Sequence, residues 1–196
     1  MREKFTRLIL FILPVLLIVS CGGGEKRELL GYQEAALHIE ADFTVGEECF
    51  PATVELEPPE YDPNGRMLAR SARVTLSGNS IISGVSFEFE GGCAYVVSGV
   101  LKIPVEDEEL LAGITDILSL FCISPDSFYE SDASEYAGKE CTRAVYTAGA
   151  SEDGAGNRVE VYIDDATGLP MRIEASLGDR TISADISDIK AEFPGE

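Results

Sequence analysis

Apolar and polar residues alternate through most of this chain. In ALHIEADFTV, residues 36–45, Leu37, Ile39, Ala41, Phe43 and Val45 share one face while His38, Glu40, Asp42 and Thr44 share the other, which predicts a half-buried strand. Ala52, Val54 and Leu56 repeat the pattern against Thr53, Glu55 and Glu57, and Pro58-Pro59 ends the run. Turn chemistry at Asp62-Pro63-Asn64-Gly65 then leads into a strand with Ala72, Val74 and Leu76 inside. Val85, Phe87 and Phe89 against Ser86, Glu88 and Glu90 make the next, and Gly91-Gly92 turns it into Cys93, Tyr95 and Val97. Strands resume at Cys141 to Ala148, Val159 to Ile163, Met171 to Leu177 and Thr181 to Ile186. The pattern describes an antiparallel meander with one dry face, and the acidic stretch SPDSFYESDASEYAGKE between its two halves reads as a loop.

One segment has a different period. From Glu106 to Cys122, after Pro104, the residues Leu110, Leu111, Ile114, Ile117, Leu118 and Phe121 fall at helical spacing, and Asp107, Glu108 and Glu109 suit a helix N-terminus. A sheet of about eight or nine strands must curl and have its apolar face covered. This amphipathic helix of about four to five turns is the obvious cover. The fold class expected is therefore mainly β: a curved antiparallel sheet, or half-open β-barrel, with one main helix over its concave face.

The N-terminus looks like an export signal. Arg2, Lys4 and Arg7 outweigh Glu3, and Leu8 to Ile18 form an apolar run of 11 residues, too short to span a bilayer as a stable helix. Ile18-Val19-Ser20-Cys21 resembles the lipobox of bacterial lipoproteins, which implies diacylglycerol on the Cys21 sulfur and cleavage just before it. The expected organisation is a signal peptide at 1–20, a lipidated N-terminus and flexible tether at 21–29 (Gly22, Gly23 and Gly24, then Glu25-Lys26-Arg27-Glu28), a β domain at 30–190 and a short tail at 191–196. The chain would sit on the extracytoplasmic face of the cell membrane, held by its lipid rather than embedded.

Charge narrows the partners. Without residues 1–20, which carry three basic and one acidic side chain, the net charge of −20 becomes −22. Phosphates repel such a chain, which argues against nucleic acid and against lying flat on anionic lipid. No other stretch approaches transmembrane length.

Candidate chemistry is sparse. His38 is the only histidine and lies on the polar face of its strand, so any catalytic triad would depend on it. Asp126, Glu130, Asp132 and Glu135 do not follow an EF-hand spacing, and Asp164-Asp165 reads as turn chemistry. No phosphate loop, nucleotide fingerprint or nucleophile elbow appears, so the reading is a non-enzyme without cofactor or metal. Beyond Cys21, the cysteines Cys49, Cys93, Cys122 and Cys141 are spaced by 44, 29 and 19 residues, which fits no zinc motif. Four cysteines outside the membrane allow three disulfide connectivities. The preferred pair is Cys122–Cys141, stapling the helix to the sheet, with Cys49–Cys93 as its complement; buried free thiols are the alternative.

Two stretches carry a family resemblance. VEVYIDDATGLPMRIEASLGDRTISADISDIK, residues 159–190, resembles the C-terminal part of LolA-like lipoprotein-carrier domains, with a strand, a turn around Thr167-Gly168-Leu169-Pro170 and two more strands. GNSIISGVSFEFEGGCAYVV, residues 78–97, resembles that family's central hairpin. The resemblance, which extends to LppX-like lipoproteins, implies an incomplete barrel with helices on its concave side and, in several members, a cavity for acyl chains. A similar domain in small germination-type lipoproteins of Firmicutes holds a cell-wall amidase instead. Two departures stand out: a lipid anchor that works against free shuttling, and an N-terminal helix reduced to about Glu25–Glu34. Two functions remain open: binding of a lipid or other apolar ligand between sheet and helix, or a tethered scaffold for an envelope or cell-wall protein.

Overall fold

The computed structural model describes residues 29–63, 70–78, 84–91, 93–148, 157–178 and 180–195. Among these residues eleven strands form one antiparallel sheet: β1 (Ala36–Val45), β2 (Glu48–Leu56), β3 (Ala72–Leu76), β4 (Ser86–Glu90), β5 (Cys93–Ser98), β6 (Leu101–Pro104), β7 (Phe128–Tyr136), β8 (Lys139–Ala148), β9 (Asn157–Asp164), β10 (Pro170–Leu177) and β11 (Arg180–Glu192). Their order is β6-β5-β4-β3-β2-β1-β11-β10-β9-β8-β7. The sheet is curved and does not close, so β6 and β7 are its free edges.

Two strands exceed the sequence expectation. β6 was not foreseen, and β7 replaces the expected acidic loop: its Ser131 to Tyr136 pair residue by residue with Ala144 down to Lys139 of β8. As an edge strand β7 buries almost nothing, so its sequence carries no dry face. The N-terminal helix expected near Glu25–Glu34 is present as a single 3-10 turn at Gly31–Glu34, with residues 25–28 outside the described residues.

Curvature has local causes. Each bulge adds one unpaired residue and bends its strand. Ser187 in β11 is such a residue opposite Glu40 and Ala41, and its hydroxyl donates to the Glu40 carbonyl at 3.0 Å. Similar shifts leave Met171 extra in β10 and Tyr129 extra in β7. The β9–β10 turn is built by Asp164, whose Oδ1 accepts from Ala166 N at 2.7 Å and whose carbonyl accepts from Gly168 N at 2.8 Å. Gly168 takes a φ of +69° there, which a side chain disfavours.

The helix α1 runs Glu108–Ser119, shorter than the pattern implied. Asp107 caps it by accepting from Leu110 N at 2.8 Å. Its exit tightens to three-residue spacing, with Phe121 N donating to Leu118 O and Cys122 N to Ser119 O. Because α1 lies between β6 and β7, the connection that holds it runs from one free edge to the other across the concave side.

The β7–β8 hairpin turns at Ala137-Gly138, both with positive φ (51° and 77°). Its tip folds back over the outer face, since the Tyr136 hydroxyl donates to Asp185 on β11, four strands away in the sheet order.

Candidate functional site

The concave wall is apolar through the middle of the sheet. Ile39 and Phe43 of β1, Val54 of β2, Val74 of β3, Val161 of β9, Ile173 of β10 and Ile182 of β11 are fully buried on it. Above them, Ile114, Ile117 and Phe121 are buried, Leu111 and Leu118 are half-buried, and Leu110 is 41% exposed. Leu110 therefore does not face the sheet. Leu120 and Ile123, which a strict helical period places off the apolar stripe, are buried instead because the tightened exit rotates them inward. Among the described residues the polar attachment of α1 is light: Asp116 Oδ2 lies 3.1 Å from Arg180 Nη1, close enough for attraction but misaligned for a hydrogen bond.

A polar cluster is enclosed beneath the exit of α1. Tyr32 and Gln33 come from the 3-10 turn, Arg70 precedes β3, Tyr146 stands on the inner side of β8, and Cys122 follows the helix. Tyr32 is 2% exposed, Gln33 3%, Tyr146 1% and Arg70 8%. The hydroxyls of Tyr32 and Tyr146 and the Gln33 amide nitrogen have no hydrogen-bond partner. A buried polar group left unmade costs about 1–3 kcal/mol, so this arrangement works against stability as it stands. Burial raises the Tyr32 phenol far above its ordinary range, an effect that the nearby Gln33 amide and Arg70 only partly offset. Burial also pushes the Tyr146 phenol up to about 12. Both remain protonated donors at any physiological pH. Arg70 donates through Nε to Glu57 O at 2.7 Å, through Nη1 to Gln33 O at 2.9 Å and through Nη2 to Ala35 O at 2.7 Å, which ties the turn to the sheet. Burial lowers the Arg70 guanidinium from its usual value, against the opposing pull of Cys122, Tyr61, Glu34 and Glu57.

The outer face is charged and self-paired. A trough of about 810 Å³ runs over the ends of β11, β1, β2, β3 and β4, lined by His38, Glu55, Arg73, Glu88 and Lys190 among others. Arg73 bonds Glu88, and Lys102 lies 3.0 Å from Glu88 and 3.1 Å from Glu90. His38 sits 3.8 Å from Glu40 and 3.7 Å from Glu55, so its near neighbours are carboxylates. Farther along, Arg143 bonds Glu160 at 2.7 Å, and Arg172 bonds Asp185. Among the described residues no group of histidine, cysteine and carboxylate side chains is placed to hold a metal ion, and no helix is long and apolar enough to cross a membrane.

The structure places the four cysteines apart. Cys49, Cys93, Cys122 and Cys141 are free thiols. Cys141 shares the outer side of β8 with Arg143 and lies against the backbone of Tyr136, whereas Cys122 lies on the concave side near Arg70 and Tyr32. The sheet stands between them, so the preferred bridge is not formed. Cys49 follows the β1–β2 turn and Cys93 the β4–β5 turn, and the antiparallel pairing puts those turns at opposite ends of the sheet. Cys21 and the export signal lie outside the described residues.

The chain matches no protein-family model and no curated protein. Among solved structures it is similar to MucB, at 14% identity and a TM-score of 0.51 over 89% of this chain and 62% of that one. The fold is shared with MucB. The chain spans about three fifths of that structure, and MucB is also known in the Pseudomonas aeruginosa MucA/MucB complex. Other similar structures are the Mycobacterium tuberculosis lipoprotein LppX (18% identity, TM-score 0.47, covering 87% of this chain and 94% of that one) and the LolA superfamily protein NE2245 from Nitrosomonas europaea (9%, 0.37, 85% and 90%). At these identities the likeness concerns fold. The half-open, helix-covered sheet implied by the LolA-like resemblance is the architecture observed.

Proposed function

We propose that this chain is an extracytoplasmic lipoprotein, tethered to the membrane through Cys21, whose groove between sheet and α1 takes up a lipid or other apolar ligand. The observation that carries this reading is the cover itself. Among the described residues, a continuous apolar wall is roofed at its centre by one short helix, strung between two free sheet edges and held by few polar contacts. Such a helix can lift without breaking any strand pairing, exposing a surface that only an apolar ligand would cover favourably. The reading assigns no catalysis to the chain.

The test is saturable uptake of fatty-acid or phospholipid probes by the purified protein, stripped of co-purified lipid. A ligand at a hundred times its Kd stabilises the folded state by about 2.7 kcal/mol, so the melting temperature should rise with probe concentration. No uptake and no thermal shift would reject the reading.

A second reading has its own support. Phe43, Phe121 and Ile173 are fully buried in the structure as it stands, so the groove is filled by its own side chains, and MucB, which shares the fold, forms a complex with MucA. In this reading the domain is a tethered scaffold for an envelope or cell-wall protein. Recovery of one stoichiometric protein partner from the envelope, with no lipid uptake, would favour it.

A further inference from the structure

The enclosed cluster beneath the exit of α1 is out of place in an apolar groove. Tyr32 and Tyr146 each offer an O–H that meets no acceptor, and Gln33 Nε2 offers N–H groups that meet none either. Arg70 has five N–H donors, and three are used by the carbonyls of Glu57, Gln33 and Ala35. Among the described residues no carboxylate lies within ion-pair distance of it. Glu34 and Glu57 are near enough to feel its charge, yet the Glu34 carboxylate is taken by the Tyr61 hydroxyl at 2.8 Å. The Cys122 thiol does not supply the missing anion, because burial on one side raises it and keeps it protonated even though the residue is exposed. The site is thus rich in donors, positively charged and short of acceptors.

We propose that this cluster receives the carboxylate head of a single-chain amphiphile of the fatty-acid class, with Arg70, Tyr32, Tyr146 and Gln33 as its donors and the concave wall as the seat of its chain. The proposal rests on the groove-binding reading and adds the chemical class of the ligand. A carboxylate brings acceptors and a negative charge, the two things the cluster lacks. A fatty alcohol adds another hydroxyl and leaves Arg70 unneutralised, while a phospholipid adds bulk to a head site whose donor side chains are all buried. The position also fits entry. Arg70 fixes the turn that carries Tyr32 and Gln33, and Cys122 at the exit of α1 lies next to Tyr32 and Arg70, so lifting the helix would open the head site and the apolar wall together.

The test compares palmitate, hexadecanol and phosphatidylcholine vesicles on the purified full chain, read by native mass spectrometry and thermal shift. The decisive variant is Tyr32→Phe with Tyr146→Phe. Neither hydroxyl has a partner to lose, so the double variant should fold with an unchanged or raised melting temperature. Palmitate should bind the parent at least tenfold more tightly than hexadecanol, and the double variant should lose that preference while keeping its affinity for hexadecanol. Arg70→Lys should weaken palmitate as well, but it also loosens the turn at Gly31–Glu34, so the phenylalanine pair decides. Equal binding of palmitate and hexadecanol by the parent, or palmitate affinity untouched in the double variant, overturns the carboxylate site and leaves the groove reading intact. Preferred uptake of phosphatidylcholine replaces the ligand class, and binding of no probe at all removes both proposals.

Discussion

The ring of Phe121 meets that of Phe43 edge-on, with centroids 6.4 Å apart and planes at 77°. One ring closes the exit of α1 and the other lies at the centre of the sheet, and both are fully buried. Phe121→Ala should therefore destabilise the domain by about 3–5 kcal/mol, while Leu110→Ala, on the solvent side of α1, should stay within about 0.5 kcal/mol. Urea denaturation of the two variants checks the docking of the helix, and comparable losses would show that α1 sits the other way round.

Ala137 holds a left-handed backbone with φ of 51° at the β7–β8 turn. A residue with a Cβ pays about 1–2 kcal/mol there that glycine does not. Ala137→Gly should stabilise by up to about 1 kcal/mol after the extra freedom of glycine in the unfolded chain is subtracted. A lower melting temperature for this variant would contradict the turn geometry.

Acid should unfold the domain through its outer-face ion pairs. The hydrogen bond from Arg143 holds Glu160 below the usual carboxylate range. For Asp185, burial pulls upward, but the Tyr136 hydroxyl and Arg172 outweigh it and the net shift is downward. Carboxylates depressed in the fold contribute stability above their unfolded pKa, near 4, and lose it as pH falls through the folded values. Glu160→Gln with Asp185→Asn should lower stability at pH 7 and flatten its fall below about pH 4. An unchanged acid limb in urea titrations would exclude these two groups as its source.

Thiol reactivity should follow placement. Cys49 and Cys93 are exposed and should alkylate readily in the native protein. Cys122, with its thiol raised by burial, should react more slowly, and buried Cys141 only on unfolding. Mass mapping of the modified peptides reads the order, and a Cys141 that labels as fast as Cys49 would contradict its position under the hairpin tip.

The anchor has a direct test. Cys21→Ser should abolish incorporation of labelled lipid and leave the precursor uncleaved by the lipoprotein peptidase. Equal labelling of variant and parent would refute the tether.

What the sequence revealed depended on whether a segment has one dry face. β1 shows its register plainly, because Leu37, Ile39, Ala41 and Phe43 all face the core. β11 reads as ending at Ile186, since Ile186 and Ile189 are three apart and alternation fails between them. The bulge at Ser187 absorbs that step and returns Ile189 and Ala191 to the inner side, opposite Ile39 and Leu37. β7 was illegible because an exposed edge imposes no pattern. The polar cluster was illegible for a different reason: Tyr32, Arg70 and Tyr146 are far apart in the chain, and nothing local marks a hydroxyl as partnerless.

The pairing of β1 with β11 also sets an order of assembly. β1 through β6 pair with their sequence neighbours, as do β7 through β11, and the two meanders join into one sheet only where the first strand meets the last. That seam links residues 36–45 with 182–192, and contacts so distant in sequence form slowly. A chain delivered from its N-terminus therefore presents β1 as an unpaired edge until its last 13-residue strand arrives, and a nascent or truncated form lacking that strand is the one most exposed to pairing with the wrong neighbour.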